Sequence, residues 1–211
     1  MVKLFQNDIQ YQYPWSTTTI GFWRKYPNPH STHVLSIDTL SRDVDLETGV
    51  LRTERIIKAR QGVPKWIMRM LGVSENAWVR EIVWVDPIAK ITSTVSINMS
   101  LSEYVQCIEL ISYTPELSSP SNSTLFTQRA HISSPPAGLP PYAPSSGTGA
   151  PLSKSMSRIL RKVGAKLESS SVERFGMNAG TGKLGFEGVL RDVEEQLRRE
   201  GQVFVGEQHG P

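Results

Sequence analysis

Cysteine is nearly absent from this chain, with Cys107 alone among 211 residues. One thiol makes neither an internal disulfide nor a thiolate metal cluster. Its neighbours Tyr104, Val105, Ile108 and Leu110 point to a small buried hydrophobe rather than a reactive nucleophile. Histidine is scarce too: His30, His33, His131 and His209 offer no pair at the helical spacing a metal site uses. No run of about 18 apolar residues occurs, so no segment reads as a transmembrane helix. The opening segment Met1–Asp8 has neither an apolar signal core nor the Arg-rich, acid-poor character of a cleavable mitochondrial presequence. Charge of one sign is also missing. A balance of 23 Lys and Arg against 20 Asp and Glu leaves +3, which gives no basis for a nucleic-acid partner. It does suit transient contact with an anionic membrane, where each surface cation contributes roughly 1 kcal/mol.

Catalytic patterns are equally thin. Gly180-Thr181-Gly182-Lys183 suggests a phosphate loop, but Met177 stands where the first glycine belongs and Leu184 where the magnesium-holding hydroxyl belongs. No Gly-x-Ser-x-Gly elbow marks a nucleophile. Glu54, Glu81, Glu103 and Glu109 fall in strand-like runs, where solvated sheet faces account for them. The expectation is no catalytic residue, no metal and no cofactor.

What is present is a core-forming composition, with 38% hydrophobic residues in a length that suits one domain. Ile9, Tyr11 and Tyr13 alternate with glutamines as in a half-buried strand ended by Pro14. Ser16 is placed to cap a short helix reaching Lys25, with Ile20 and Trp23 on its inner side, before a turn at Pro27-Asn28-Pro29. Three hairpins follow: 34–42 with 50–59, 78–85 with 91–99, and 104–113 with 124–132. In the strand 91–99, Ile91, Val95, Ile97 and Met99 alternate with Thr92, Thr94, Ser96 and Asn98. About seven antiparallel strands in sequence predict an α+β fold built on a meander.

Three segments depart from that pattern. Val63-Pro64-Lys65-Trp66-Ile67-Met68-Arg69-Met70-Leu71 is apolar almost all round, and reads either as a buried helix or as a mobile apolar lid that touches membranes. Periodicity does not separate the two. Residues 133–153, rich in Pro, Ser and Gly, bury too little surface to offset ordering and read as a disordered insert. Lys154 to about Glu200 is helical in tone and reads as one long helix, or as one broken near Gly180, because interior glycine costs about 1 kcal/mol. A frayed tail is expected over 201–211.

Cationic and polar residues border the apolar segments. Lys25 ends the first helix, Lys58 and Arg60 end a strand before the Val63–Leu71 segment, and Arg174, Asn178 and Lys183 share a stripe of the last helix. Singly each is ordinary surface. Together they are suited to ring a cavity for an anionic headgroup.

Several uncommon strings recur in one order: Lys3-Leu4-Phe5-Gln6-Asn7, Tyr13-Pro14-Trp15, Lys25-Tyr26-Pro27-Asn28, Ser31-Thr32-His33-Val34, Thr53-Glu54-Arg55 and Gln61-Gly62-Val63-Pro64-Lys65-Trp66-Ile67-Met68. Val172-Glu173-Arg174-Phe175, Asn178-Ala179 and Lys183-Leu184-Gly185-Phe186 complete the set. In these the chain resembles the PRELI family of lipid-transfer proteins, in its slowmo-like branch. The resemblance spans residues 1–200 as one domain, apart from the Pro-rich insert. It implies a seven-stranded antiparallel sheet enclosing a lipid cavity with a long C-terminal helix. It also implies a headgroup site at Lys25, His33, Lys58, Arg174, Asn178 and Lys183, and a lid or membrane contact at Val63, Pro64, Lys65, Trp66, Ile67 and Met68. A non-enzymatic carrier of phosphatidylserine between outer and inner mitochondrial membranes follows. It would work in the intermembrane space, with phospholipid as cargo and a small twin Cys-x9-Cys helical-hairpin protein as heterodimer partner. A phosphatidic acid carrier and a protein-interaction module are the alternatives. Two features depart from the family pattern: the insert itself, and Glu168-Ser169-Ser170-Ser171 where an acidic-Asp-Trp string is usual.

Overall fold

The computed structural model describes residues 2–60, 63, 65–102, 104–134 and 154–207. Seven strands, β1 (Val2–Tyr11), β2 (Val34–Val44), β3 (Leu51–Arg60), β4 (Asn76–Asp86), β5 (Ile91–Asn98), β6 (Gln106–Pro115) and β7 (Thr124–Ser133), form one antiparallel sheet. The expected meander holds from β2 to β7. β1 instead pairs with β7, bringing Phe5 opposite Ala130 and Tyr11 opposite Thr124, so the order is β1-β7-β6-β5-β4-β3-β2. The chain reaches the far edge through α1 (Trp15–Trp23).

α1 starts two residues earlier than a Ser16 cap would place it. Pro14 occupies the N-cap with no side-chain cap bond, and the Thr18 hydroxyl donates to the Pro14 carbonyl at 3.1 Å. Proline lacks an N–H, but at a helix start that donor would have no partner anyway. The buried face of α1 is Thr17, Thr18, Gly21 and Phe22, while Ile20 and Trp23 are half-buried. Gly21 lets α1 pack close to the long helix, since a Cβ there would lie 2.5 Å from Leu190 Cδ2.

That helix, α3 (Lys154–Glu207), is the expected long helix, continuous over 54 residues and through Gly180. Packing outweighs propensity. Phe186, Leu190 and Val193 form a buried stripe at helical spacing, and Val163 and Leu167 form another. Gly185 sits where the helix meets the segment after α1, since a Cβ would stand 2.8 Å from Asn28 Oδ1 and 3.0 Å from His30 Cβ. Gly180 faces open space. Gly185→Leu is therefore expected to destabilise by about 1–3 kcal/mol through overpacking. Gly180→Ala should instead stabilise by up to about 1 kcal/mol. Thermal melts of the two variants check this, and matching shifts would contradict the packing of α3 on residues 28–30.

Two clusters of apolar side chains hold the layers together. Tyr11, Phe22, Tyr113, Phe126, Phe186 and Leu190 gather at the α1 end. Val105, Ile132, Val163 and Leu167 gather at the other end, joined by Val63, Cys107 and Phe175. The Cys107 thiol is pushed up to about 12 by burial and by Glu109, as suits a packing residue. The Glu168-Ser169 string has a polar use here. Glu168 accepts hydrogen bonds from the Ser134 N–H (2.8 Å) and hydroxyl (2.5 Å), and Ser169 accepts one from Lys3 (2.7 Å). With Phe5 stacked on Phe175 at 5.4 Å, these bonds fix α3 against β1 and β7. Ser133 and Ser134 are thus part of the fold; residues 135–153 of the expected insert, and 208–211 of the expected tail, lie outside the described residues.

The two faces of the sheet are unusual in their chemistry. On β5 the polar set Thr92, Thr94 and Ser96 is buried, while Ile91 and Ile97 are exposed on the convex side. Sheet register mixes apolar and charged side chains over that outward surface, with Leu4, His131, Ile108, Ile97, Arg80 and Ile56 in one row and Arg129, Leu110, Val95, Ile82 and Glu54 in the next. Of this set, Thr92 meets the Thr19 hydroxyl of α1 at 2.8 Å and Ser96 lines a cavity.

Candidate functional site

Between the clusters lies a cavity of about 280 Å³, walled by the concave sheet face, the segment from Lys25 to Val34, and α3 from Phe175 to Lys183. Its floor is apolar, with Ile9, Ile57, Val79 and Ile111 among the lining residues. Its charged lining comprises Lys25, Arg55, Glu81, Glu109 and Lys183, with His33 and Asn178 beside them.

Lys25 follows the α1 C-cap Arg24, and its carbonyl is held by the Asn28 amide at 2.7 Å. Its ammonium stands over the Tyr26 ring at 5.4 Å and the Phe186 ring at 5.6 Å. No hydrogen bond or ion pair reaches it among the described residues. Burial opposes its charge, but the oxygens of Tyr26, Tyr113, Tyr11 and Glu109 outweigh burial and raise its pKa. This is a cation kept charged, and aromatic faces are only a partial substitute for an acceptor. His33 goes the other way. Burial, Arg174 and Lys25 lower its pKa, so near neutral pH it presents a neutral imidazole with one donor and one acceptor.

Arg55 and Glu81 neutralise one another. They form a buried ion pair, the Ser96 hydroxyl donates to Glu81 at 3.3 Å, and the guanidinium lies 4.8 Å from the Phe22 ring centre. Glu109 is held differently. The Gln128 amide donates to its Oε1 at 2.5 Å, and Asn7 donates to the Gln128 carbonyl oxygen at 3.2 Å. Burial raises the Glu109 pKa against the pull of Gln128 and Lys25.

The structure therefore brings Lys25, His33, Asn178 and Lys183 to one cavity. Lys183 sits at the rim, half exposed and 3.8 Å from Glu187. Arg174 is not in the lining, yet it lies near enough to lower the His33 pKa. Lys58 is on the convex face, its ammonium 5.4 Å from the Trp78 ring, because it alternates with the inward-facing Ile57 and Ala59. The expected lid forms α2 (Lys65–Leu71), with Trp66 59% exposed, Met68 buried and Val63 packed on the second cluster. None of its described residues lines the cavity, and Pro64 and the Ile67 side chain lie outside the described residues.

Sequence reasoning missed Arg55, Glu81 and Glu109. Assigning the carboxylates to solvated faces is corrected for two of them. Glu81 shares parity with Val79, Val83 and Val85, and Glu109 with Cys107, Ile111 and Tyr113, so alternation already placed both inward. Glu54 does face outward, paired with Arg52 and Arg80, and Glu103 lies outside the described residues. Among the described residues no group of His, Cys, Asp or Glu is placed to hold a metal ion, and no helix is long and apolar enough to cross a membrane.

Residues 16–142 match the model of the PRELI-like family. The chain belongs to that family. Relatives extend the match in both directions. UPS2, mitochondrial, of Saccharomyces cerevisiae is 38% identical over 198 residues, covering 94% of this chain and 76% of the relative. UPS1, mitochondrial, of the same yeast is 33% identical over 195 residues, covering 92% and 97%. The slowmo homolog of Dictyostelium discoideum is 29% identical over 205 residues, covering 94% and 78%. With membership in the PRELI-like family goes its general role, lipid transfer at mitochondria. Among solved structures, Ara h 8.0201 aligns with a TM-score of 0.45 at 11% identity, covering 91% of this chain and 99% of that one. Norcoclaurine synthase from Thalictrum flavum aligns with a TM-score of 0.38 at 12% identity, covering 79% and 87%.

Proposed function

We propose that this PRELI-like chain is a non-enzymatic carrier that moves phosphatidylserine between the outer and inner mitochondrial membranes. It works in the intermembrane space and feeds the decarboxylation that yields phosphatidylethanolamine. The observation that carries this reading is the Lys25 ammonium, charged, turned into a cavity and without a protein acceptor. A headgroup phosphate or carboxylate supplies that acceptor through a charge-assisted hydrogen bond. His33 and Asn178 add neutral donors, and Lys183 at the rim attracts the anion as it enters.

Acyl chains need more room than this form provides. Ligand pockets span about 300–1,000 Å³, and 280 Å³ suits a headgroup better than two fatty chains. We therefore assign Val63–Leu71 as the lid whose opening at a bilayer admits the chains. Exposed Trp66 between exposed Lys65 and Arg69 fits an anionic membrane surface. The outward face, where Trp78, Ile97 and Leu110 are exposed beside Lys58, Arg80 and Arg129, is assigned to a heterodimer partner, the twin Cys-x9-Cys hairpin protein.

Transfer of dye-labelled phosphatidylserine and phosphatidic acid between liposomes, with and without such a partner, tests the reading. Faster phosphatidylserine transfer that weakens as salt rises is expected. A preference for phosphatidic acid would keep the carrier and change its cargo. No transfer of either lipid by folded, partnered protein would make the chain an interaction module.

A further inference from the structure

The cavity contains an acidic group as poorly satisfied as its lysine. Of the two carboxylates in the lining, Glu81 is fully engaged by Arg55 and Ser96. Glu109 has only the Gln128 amide, on one oxygen; its Oε2 takes no hydrogen bond among the described residues. Asn7 fixes which way that amide points, since its donation to the Gln128 carbonyl oxygen leaves the NH2 end turned to Glu109. Two elements, β1 and β7, are thus used to orient one carboxylate on β6.

Lys25 and Glu109 feel each other's charge across the cavity, yet they form no ion pair. A site that bound only a phosphate would gain nothing from a carboxylate here. Like charges repel, and a buried carboxylate without a cation is costly. The opposed, unjoined pair instead complements a ligand that carries both signs within one small headgroup.

We infer that Glu109 is the amine-recognising subsite of the cavity: it accepts the primary ammonium of an amino-phospholipid while Lys25 holds the anionic end. This deepens the carrier reading and rests on it. Glu109 acts as the specificity-determining residue, Gln128 and Asn7 as its positioning residues. Burial raises the Glu109 pKa in the empty site, and an arriving ammonium favours its charged form. A lipid without the ammonium leaves Glu109 unmatched, the situation in which binding sites discriminate most strongly.

The test compares phosphatidylserine with its N-acetyl form, which keeps phosphate and carboxylate and loses only the ammonium, with phosphatidic acid as a third cargo. Full-length wild-type protein should transfer phosphatidylserine at least about tenfold faster than the N-acetyl lipid. In E109Q that ratio should fall to about one while phosphatidic acid transfer is kept or raised, which also shows that the variant folds. A wild-type ratio near one would overturn the subsite and leave the carrier intact. Retention of the wild-type ratio in E109Q, or equal loss of all three lipids, would overturn it as well. Failure of wild-type protein to transfer any of the three removes the carrier reading and the subsite together.

Discussion

Reversing Lys25 to Glu is expected to lower transfer of anionic phospholipid about 100-fold or more, because removing one member of a buried charge pair costs about 2–5 kcal/mol and reversal adds repulsion. Two carboxylates, Glu81 and Glu109, already line the same cavity, and its other deep cation, Arg55, is already paired with Glu81. Lys58→Glu is the matched control. Its ammonium lies over Trp78 on the convex face, where a half-exposed charge contributes less than about 1 kcal/mol. Initial rates of liposome transfer, with circular dichroism to confirm folding, separate the two variants. Equal losses in both would mean that bulk charge rather than the cavity governs transfer.

The largest effect on stability is expected at Arg55. Its guanidinium satisfies Glu81 and stacks near Phe22 and Trp23 under the sheet. Arg55→Ala leaves a buried carboxylate without its cation, a change that costs about 3–5 kcal/mol. At about 2–4 °C per kcal/mol for a domain of this size, the melting temperature should fall by roughly 6–20 °C. Replacing both partners, Arg55→Met with Glu81→Leu, should recover most of that loss, since apolar residues of similar volume often match a buried ion pair. If the double variant melts as low as Arg55→Ala, the pair's contribution is not the mutual neutralisation its geometry indicates.

Much of this architecture was legible in the chain. The hairpins at Gly49 and at Asp86-Pro87 announce themselves through turn chemistry, and Gly49 indeed adopts φ 71°. Pairing of β1 with β7 was not legible, because nothing local to Val2–Tyr11 specifies a partner more than a hundred residues away. The glycines of α3 left a break open for a related reason: propensity is local, whereas Phe186 and Leu190 anchor the one long helix through contacts with α1 and the sheet. The site was half legible. Lys25, Asn178 and Lys183 stand out as polar residues beside apolar strings, His33 is added by the family resemblance, and all four line the cavity. Lys58 failed by parity, one residue from the inward-facing Ile57. Glu81 and Glu109 were passed over because a strand carboxylate normally faces water; here both stand on the inward face, in the lining of the cavity and among core residues.

Native mass spectrometry of the full chain, purified from cells with whatever partner it retains, tests the cavity's assignment most directly. Wild-type protein should carry the mass of one phospholipid per chain, and Lys25→Glu protein should fly without it. Folded wild-type protein that carries no lipid, or a Lys25→Glu variant that carries as much as the wild type, would contradict a lipid site built around the Lys25 ammonium.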